Sequence, residues 1–127
     1  FTKIIPEDVQ VDTADKIVAV NKYVEAFANS DIDIIKQIYS HEAMVEDPVG
    51  TDPHKGMDAI VAFYTTGLAA GAKLELTGPV RCAGNTAAFP FVCKVGDMSI
   101  NIIDVFEFND AGKVTSMKAY WGPENFS

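Results

Sequence analysis

The sequence predicts an α+β fold in which helices cover one face of a mainly antiparallel sheet. Three observations predict it. Apolar residues recur at helical spacing up to about Leu68, and from Lys73 onward the period changes to two. No repeat, low-complexity tract or linker divides the 127 residues, a length that predicts one domain, 1–127, with 1–11 as an N-terminal arm.

Asp12 or Thr13 is placed to cap a first helix, with Asp15 suiting its dipole and Ile17, Val20, Val24 and Phe27 forming its apolar stripe. Ser30 or Asp31 caps a short second helix carrying Ile34, Ile35, Ile38 and Tyr39. His41 to Glu46 is expected as a brief strand, stopped by Asp47, Pro48 and Gly50, with Pro53 to Gly56 a loop. A third helix starts near Met57 and places Ile60, Phe63, Tyr64 and Leu68 on one face. Leu74 and Leu76 open the first strand of the second half, and Gly78-Pro79 bends or breaks it before Val80 to Ala83. Thr86 to Val95 and Met98 to Phe108 are strands joined by Gly96-Asp97 as a two-residue hairpin turn. Asn109 to Gly112 turns the chain into a last strand, Lys113 to Trp121. Pro90 lacks a ladder donor, so it implies an edge position or a bulge.

The formal net charge of −8 leaves no basic stripe for phosphates, which argues against nucleic acid, and it disfavours anionic membrane surfaces. No apolar run approaches the roughly 20 residues of a membrane helix. Phe1 to Gln10 lacks the apolar core of a signal peptide. Cys82 and Cys93 fit neither a zinc quartet nor a disulfide framework, so free thiols and a cytoplasmic location are expected. His41 and His54 have no ligand spacing to another His or Cys and read as surface loop residues. With no phosphate loop and no nucleophile elbow, a site free of metal and cofactor is expected.

Polar residues interrupt apolar patterns in three places. On the long strand, Met98, Ile100, Ile102, Asp104, Phe106 and Phe108 share a face, and only Asp104 is not apolar. A carboxyl there loses hydration and favours its neutral form, unless it sits at a wet edge or pairs with a Lys. Tyr23, Tyr39 and Tyr64 each accompany the apolar face of a predicted helix. Each phenol either bonds a backbone carbonyl or joins a shared hydroxyl network. In Val45-Glu46-Asp47-Pro48 only one acid can face inward, and Asp47 shares its face with Val45 and Val49. A turn acid before a proline is the alternative there, and Pro48 allows a cis bond.

Together these features resemble the bacterial Δ5-3-ketosteroid isomerases, a family within the nuclear-transport-factor-2-like superfamily. The resemblance runs from about Tyr23 to Trp121. It rests on Tyr39, Val45 to Gly50, Ala62-Phe63-Tyr64 with Gly67-Leu68, Leu76 to Arg81, Phe89-Pro90-Phe91, Ile103-Asp104-Val105 and Met117 to Trp121. The sequence departs from the family's pattern at Phe89, where a Met is expected, and in a longer arm before Asp12.

The resemblance implies a cone-shaped, strongly curved sheet packed against three helices. It implies Asp47 as general base, Tyr23 and protonated Asp104 as oxyanion hole, and Tyr39 and Tyr64 as a hydrogen-bonded support for Tyr23. It also implies Phe63, Phe89, Phe91, Met117 and Trp121 as the lining of an apolar cleft. The expected ligand is a small-molecule 3-ketosteroid, and the expected assembly is a homodimer across the outer sheet face that carries Ile103 and Val105. Ketosteroid isomerases are themselves the standard example of two carboxyls given opposite protonation by their surroundings. Two other readings stay open: a non-catalytic module of the same fold binding an apolar ligand, and a sister enzyme such as a polyketide cyclase or an epoxide hydrolase.

Overall fold

The computed structural model describes residues 11–127, so the expected arm lies outside the described residues except for Val11, which is buried. Three helices come first: α1 (Thr13–Ala28), α2 (Ile32–Ile38) and, after two strands, α3 (Met57–Ala69). The strands are β1 (Tyr39–Glu46), β2 (His54–Lys55), β3 (Lys73–Leu76), β4 (Arg81–Ala83), β5 (Thr86–Val95), β6 (Met98–Phe108) and β7 (Val114–Tyr120). They form one curved, open sheet in the order β2-β1-β7-β6-β5-β3, with β4 also pairing β5. Among the described strands only β1 and β7 run parallel, so the sheet is mainly antiparallel as the sequence predicts.

The expected elements form for the expected local reasons. Asp12 is the N-cap residue of α1, although its side chain makes no capping bond, and Asp31 caps α2 by accepting the Asp33 N–H at 2.9 Å. Lys73 Nζ donates to the terminal carbonyls of Phe27 and Ala28, supplying the positive charge that the last turn of α1 lacks. Gly96 has φ +58, the left-handed conformation that a tight hairpin turn needs. The bounds of β5 and β6 match the sequence pattern residue for residue.

Three local expectations change. Tyr39 is the C-cap of α2 and the first residue of β1, so its ring reaches the core from a strand start rather than from a helix. Residues 54–55 are a short strand, not loop, and pair antiparallel with Met44 and Val45. Pro90 lies within β5 with no bulge in its register to β6. On its other side β3 pairs up to Phe91 and β4 pairs from Ala88, leaving Pro90 opposite the gap between them. Its carbonyl accepts from the Thr77 N–H at 3.0 Å on that side, and its missing donor falls in the same gap.

The helices pack on the concave face. Val20, Phe27, Ile35, Ile60, Phe106 and Val114 are among the fully or nearly fully buried residues that join helices to sheet. Helix α1 packs on β3 and β5, while α3 packs on β1 and β2. The interval between them opens into the site.

Candidate active site

A cleft of about 490 Å³ opens between α1, α3 and the concave face of the sheet. Its walls are mostly apolar: Phe27, Phe63, Leu74, Phe91, Val95, Ile100, Ile102 and Trp121. Among the described residues, Tyr23, Tyr64, Asp104, Asp47 and His54 bring ionisable groups into it, with Thr66 and Cys93.

Asp104 projects from the middle of β6, flanked on its face by Ile102 and Phe106, and is 1% exposed. Neither carboxyl oxygen has a hydrogen-bond partner among the described residues. Burial pushes its pKa well above the ordinary carboxylate value, and the nearby Asp47 charge adds to the rise. The Tyr23 phenol opposes the rise without reaching full hydrogen-bond geometry. Burial outweighs the opposing influence of Tyr23, so the neutral acid is the favoured form.

Tyr23 stands on α1 with its ring across the deep aromatic core, 5.1 Å from Phe106 and 6.0 Å from Phe89, both edge-on. Its hydroxyl is 3.0 Å from that of Tyr64 on α3, and the Tyr64 hydroxyl is 2.5 Å from that of Tyr39. All three phenols are buried, and burial holds each pKa well above its usual value. Each hydroxyl has one proton. If Tyr39 donates to Tyr64 and Tyr64 donates to Tyr23, the Tyr23 proton is left to point into the cleft. The shared network is therefore present, but it spans two helices and one strand start.

Asp47 follows β1 and is only partly buried. Trp121, just beyond β7, donates its indole N–H to Asp47 Oδ1 at 2.7 Å. Burial raises the Asp47 pKa, while the Trp121 hydrogen bond and the charge of His54 act against that rise. Glu46 points elsewhere and accepts the Gly50 N–H at 2.7 Å. The alternation of an extended segment thus selects Asp47 as the inward acid, and the Asp47–Pro48 bond is cis.

Sequence resemblance placed five residues on the lining, and the structure brings three of them there: Phe63, Phe91 and Trp121. Phe89 and Met117 are corrections. Both are fully buried and neither lines the cleft. Phe89 pairs with Asp104 across the sheet and packs beneath Tyr23, while Phe91, two residues on, reaches the cleft. Met117 lies between Val45 and Phe106 in the middle of the sheet.

His54 is a third correction, since it lines the cleft instead of a surface loop. Its ring lies 4.4 Å from that of Phe63 at an interplanar angle of 33°. A two-residue strand has no periodicity to reveal it; only pairing with β1 turns His54 inward. His41 is exposed, as expected. Cys82 and Cys93 are free, and Cys93 also lines the cleft. Among the described residues, no group of three or more His, Cys, Asp or Glu is arranged to hold a metal ion.

A SnoaL-like domain model matches residues 20–117, most of the chain and the cleft lining except Trp121. The chain belongs to the SnoaL-like family. This SnoaL-like chain is 40% identical over 111 residues to a steroid Delta-isomerase of Nocardioides simplex, covering 83% of this chain and 88% of that protein. Its fold also matches the solved structure of SalBIII, an epoxide hydrolase/cyclase-like enzyme of pyran ring formation in polyether salinomycin. That match has a TM-score of 0.86 and 25% identity, covering 91% of this chain and 97% of the other. The SnoaL-like fold is thus shared with enzymes of differing chemistry, and the cleft residues carry the distinction.

Proposed function

We propose that this protein is a steroid Δ-isomerase that moves the C5–C6 double bond of a 3-oxo-Δ5-steroid to C4–C5. The observation that carries the proposal is the pairing, in one apolar cleft, of a buried Asp104 beside Tyr23, unpartnered among the described residues, with a part-exposed, hydrogen-bonded Asp47. The 40% identity to a steroid Delta-isomerase supports the same reading.

In this reading Asp47 removes a proton from C4. The C4–H bond breaks, an O–H bond forms on Asp47, and the electron pair delocalises onto the C3 oxygen as a dienolate. Tyr23 and neutral Asp104 donate hydrogen bonds to that oxygen, which an ionised Asp104 has no proton to do. Asp47 then returns the proton at C6. The base needs a pKa raised toward working pH, the direction in which burial moves it. Tyr64 and Tyr39 hold Tyr23 in its donating orientation. The apolar walls bury the steroid rings and strengthen both hydrogen bonds by excluding water.

A cyclase-type reaction is the second reading, favoured by the likeness to SalBIII. Ultraviolet absorbance after adding 5-androstene-3,17-dione separates the two, because only the conjugated product absorbs strongly. A steady rise that Asp47→Asn abolishes supports isomerisation. No rise at micromolar enzyme refutes it and leaves the cyclase or a binding module.

The proposed setting is cytoplasmic. Among the described residues no helix is long and apolar enough to cross a membrane. The proposed assembly is a homodimer, in which a second copy covers Ile103 and Tyr120, 49% and 47% exposed on the outer sheet face beside Val105. Elution at the monomer mass in size-exclusion chromatography refutes that assembly.

A further inference from the structure

Among the described cleft residues, the proposed chemistry leaves His54 and Cys93 without a task, and of the two only His54 can carry a positive charge. It sits opposite Val45 in the antiparallel β1–β2 pair. Residues directly opposite in such a pair project to the same face. Asp47 follows Val45 by two and projects to that face as well, and both side chains line the cleft. The His54 ring is fixed by its tilted stack on Phe63. It forms no hydrogen bond or ion pair with any described residue, so no other carboxylate is paired with it there.

Resting on the isomerase reading, we propose that His54 is a positioning residue for Asp47, whose protonated imidazole holds the base as a carboxylate. Burial moves protonation of the Asp47 carboxyl to higher pH, and a cation on the same cleft wall opposes that loss of charge. A positive charge in a cleft of low polarity is weakly screened, so it opposes protonation of Asp47 more than it would in water. The opposing influence of His54 on the burial-raised Asp47 is in agreement.

Other charged groups near the pair are turned away or sealed. On β1, His41 and Glu42 are exposed and Glu46 bonds the Gly50 N–H. On β2, Lys55 is exposed and alternates to the opposite face; on α3, Asp58 is exposed. Across the cleft stand Asp104, Cys93, Tyr23 and Tyr64, with Tyr39 behind, all disfavouring their charged forms through burial.

The test compares wild type, His54→Phe and His54→Lys. The Phe variant keeps a ring on Phe63 without charge, and the Lys variant keeps charge without the stack. The ratio of kcat/KM at about pH 5 to that at about pH 8 is expected to fall by about two- to fivefold in His54→Phe, the size of a modest charge pair. It is expected to recover in His54→Lys. A parallel ¹³C NMR titration follows the Asp47 carboxyl, assigned with Asp47→Asn, and His54→Phe should shift its protonation to higher pH. An unmoved Asp47 titration in His54→Phe overturns the proposal, as does a pH ratio unchanged in both variants. If the wild-type protein fails to isomerise the steroid, the isomerase reading fails, while the NMR titration still decides the His54–Asp47 coupling.

Discussion

Asp104→Leu removes a carboxyl whose two oxygens are buried without partners among the described residues. Leaving a buried polar group unsatisfied costs about 1–3 kcal/mol, and Leu in its place incurs no such cost. The extra volume has room, since Asp104 borders the open cleft. A second contribution depends on pH. Asp104 has its folded-state pKa raised well above 3.8. As pH rises past the unfolded value, the unfolded chain ionises while the native one keeps its proton. Stability is therefore lost with rising pH, by about 1.4 kcal/mol per unit until the folded pKa is reached. Asp104→Leu escapes both costs, whereas Asp104→Asn escapes only the second. Thermal unfolding followed by circular dichroism at about pH 4 and pH 7 reads both. The Leu variant should gain about 1–3 kcal/mol near pH 4, roughly 3–6 °C in Tm per kcal/mol for this length, and more at pH 7. The Asn variant should match wild type near pH 4 and exceed it at pH 7. A Leu variant no more stable than wild type at pH 7, or a gap that shrinks as pH rises, refutes the reasoning that Asp104 is neutral and unsatisfied in the folded protein.

The same substitutions should divide activity in the opposite order, with Asp104→Leu losing on the order of 10²-fold in kcat and Asp104→Asn less, because the amide still donates. Asp47→Asn should fold normally and lose ~10²–10⁴-fold in steroid isomerisation; turnover near wild type removes Asp47 as the base. Tyr23→Phe should cost on the order of 10²-fold in kcat, and a purely raised KM counts against an oxyanion role. Trp121→Phe deletes the 2.7 Å donor to Asp47, so the acid limb of the kcat/KM profile should move to higher pH; an unmoved limb means the indole does not stabilise the carboxylate.

Much of the fold was legible because each long element satisfies its own local pattern. Met98 to Phe108 alternates with period two, and Asp104 stands out as the single acid on an apolar face. Thr13 to Ala28 repeats apolar residues at helical spacing, which by itself turns Tyr23 inward. Short segments were less legible. Residues 54–55 contain too few positions for a period, so His54 was misplaced, and Tyr39 lies where one period gives way to the other. Phe89 and Phe91 share a strand face, and alternation has no means to say that Tyr23 covers the first and the cleft opens over the second.

Sequence by itself determined the α+β class, the long strands and the anomaly of Asp104, and made Asp47 the better inward candidate of its acid pair, because face selection follows from backbone periodicity within one element. Only the tertiary structure decided the rest. It brought Trp121 to Asp47 across 74 positions of chain, joined Tyr23, Tyr64 and Tyr39 hydroxyl to hydroxyl, and buried Asp104 without a partner among the described residues. Hydrogen bonds and desolvation depend on which elements meet, and that is set by packing the helices on a curved sheet rather than by any local run of residues.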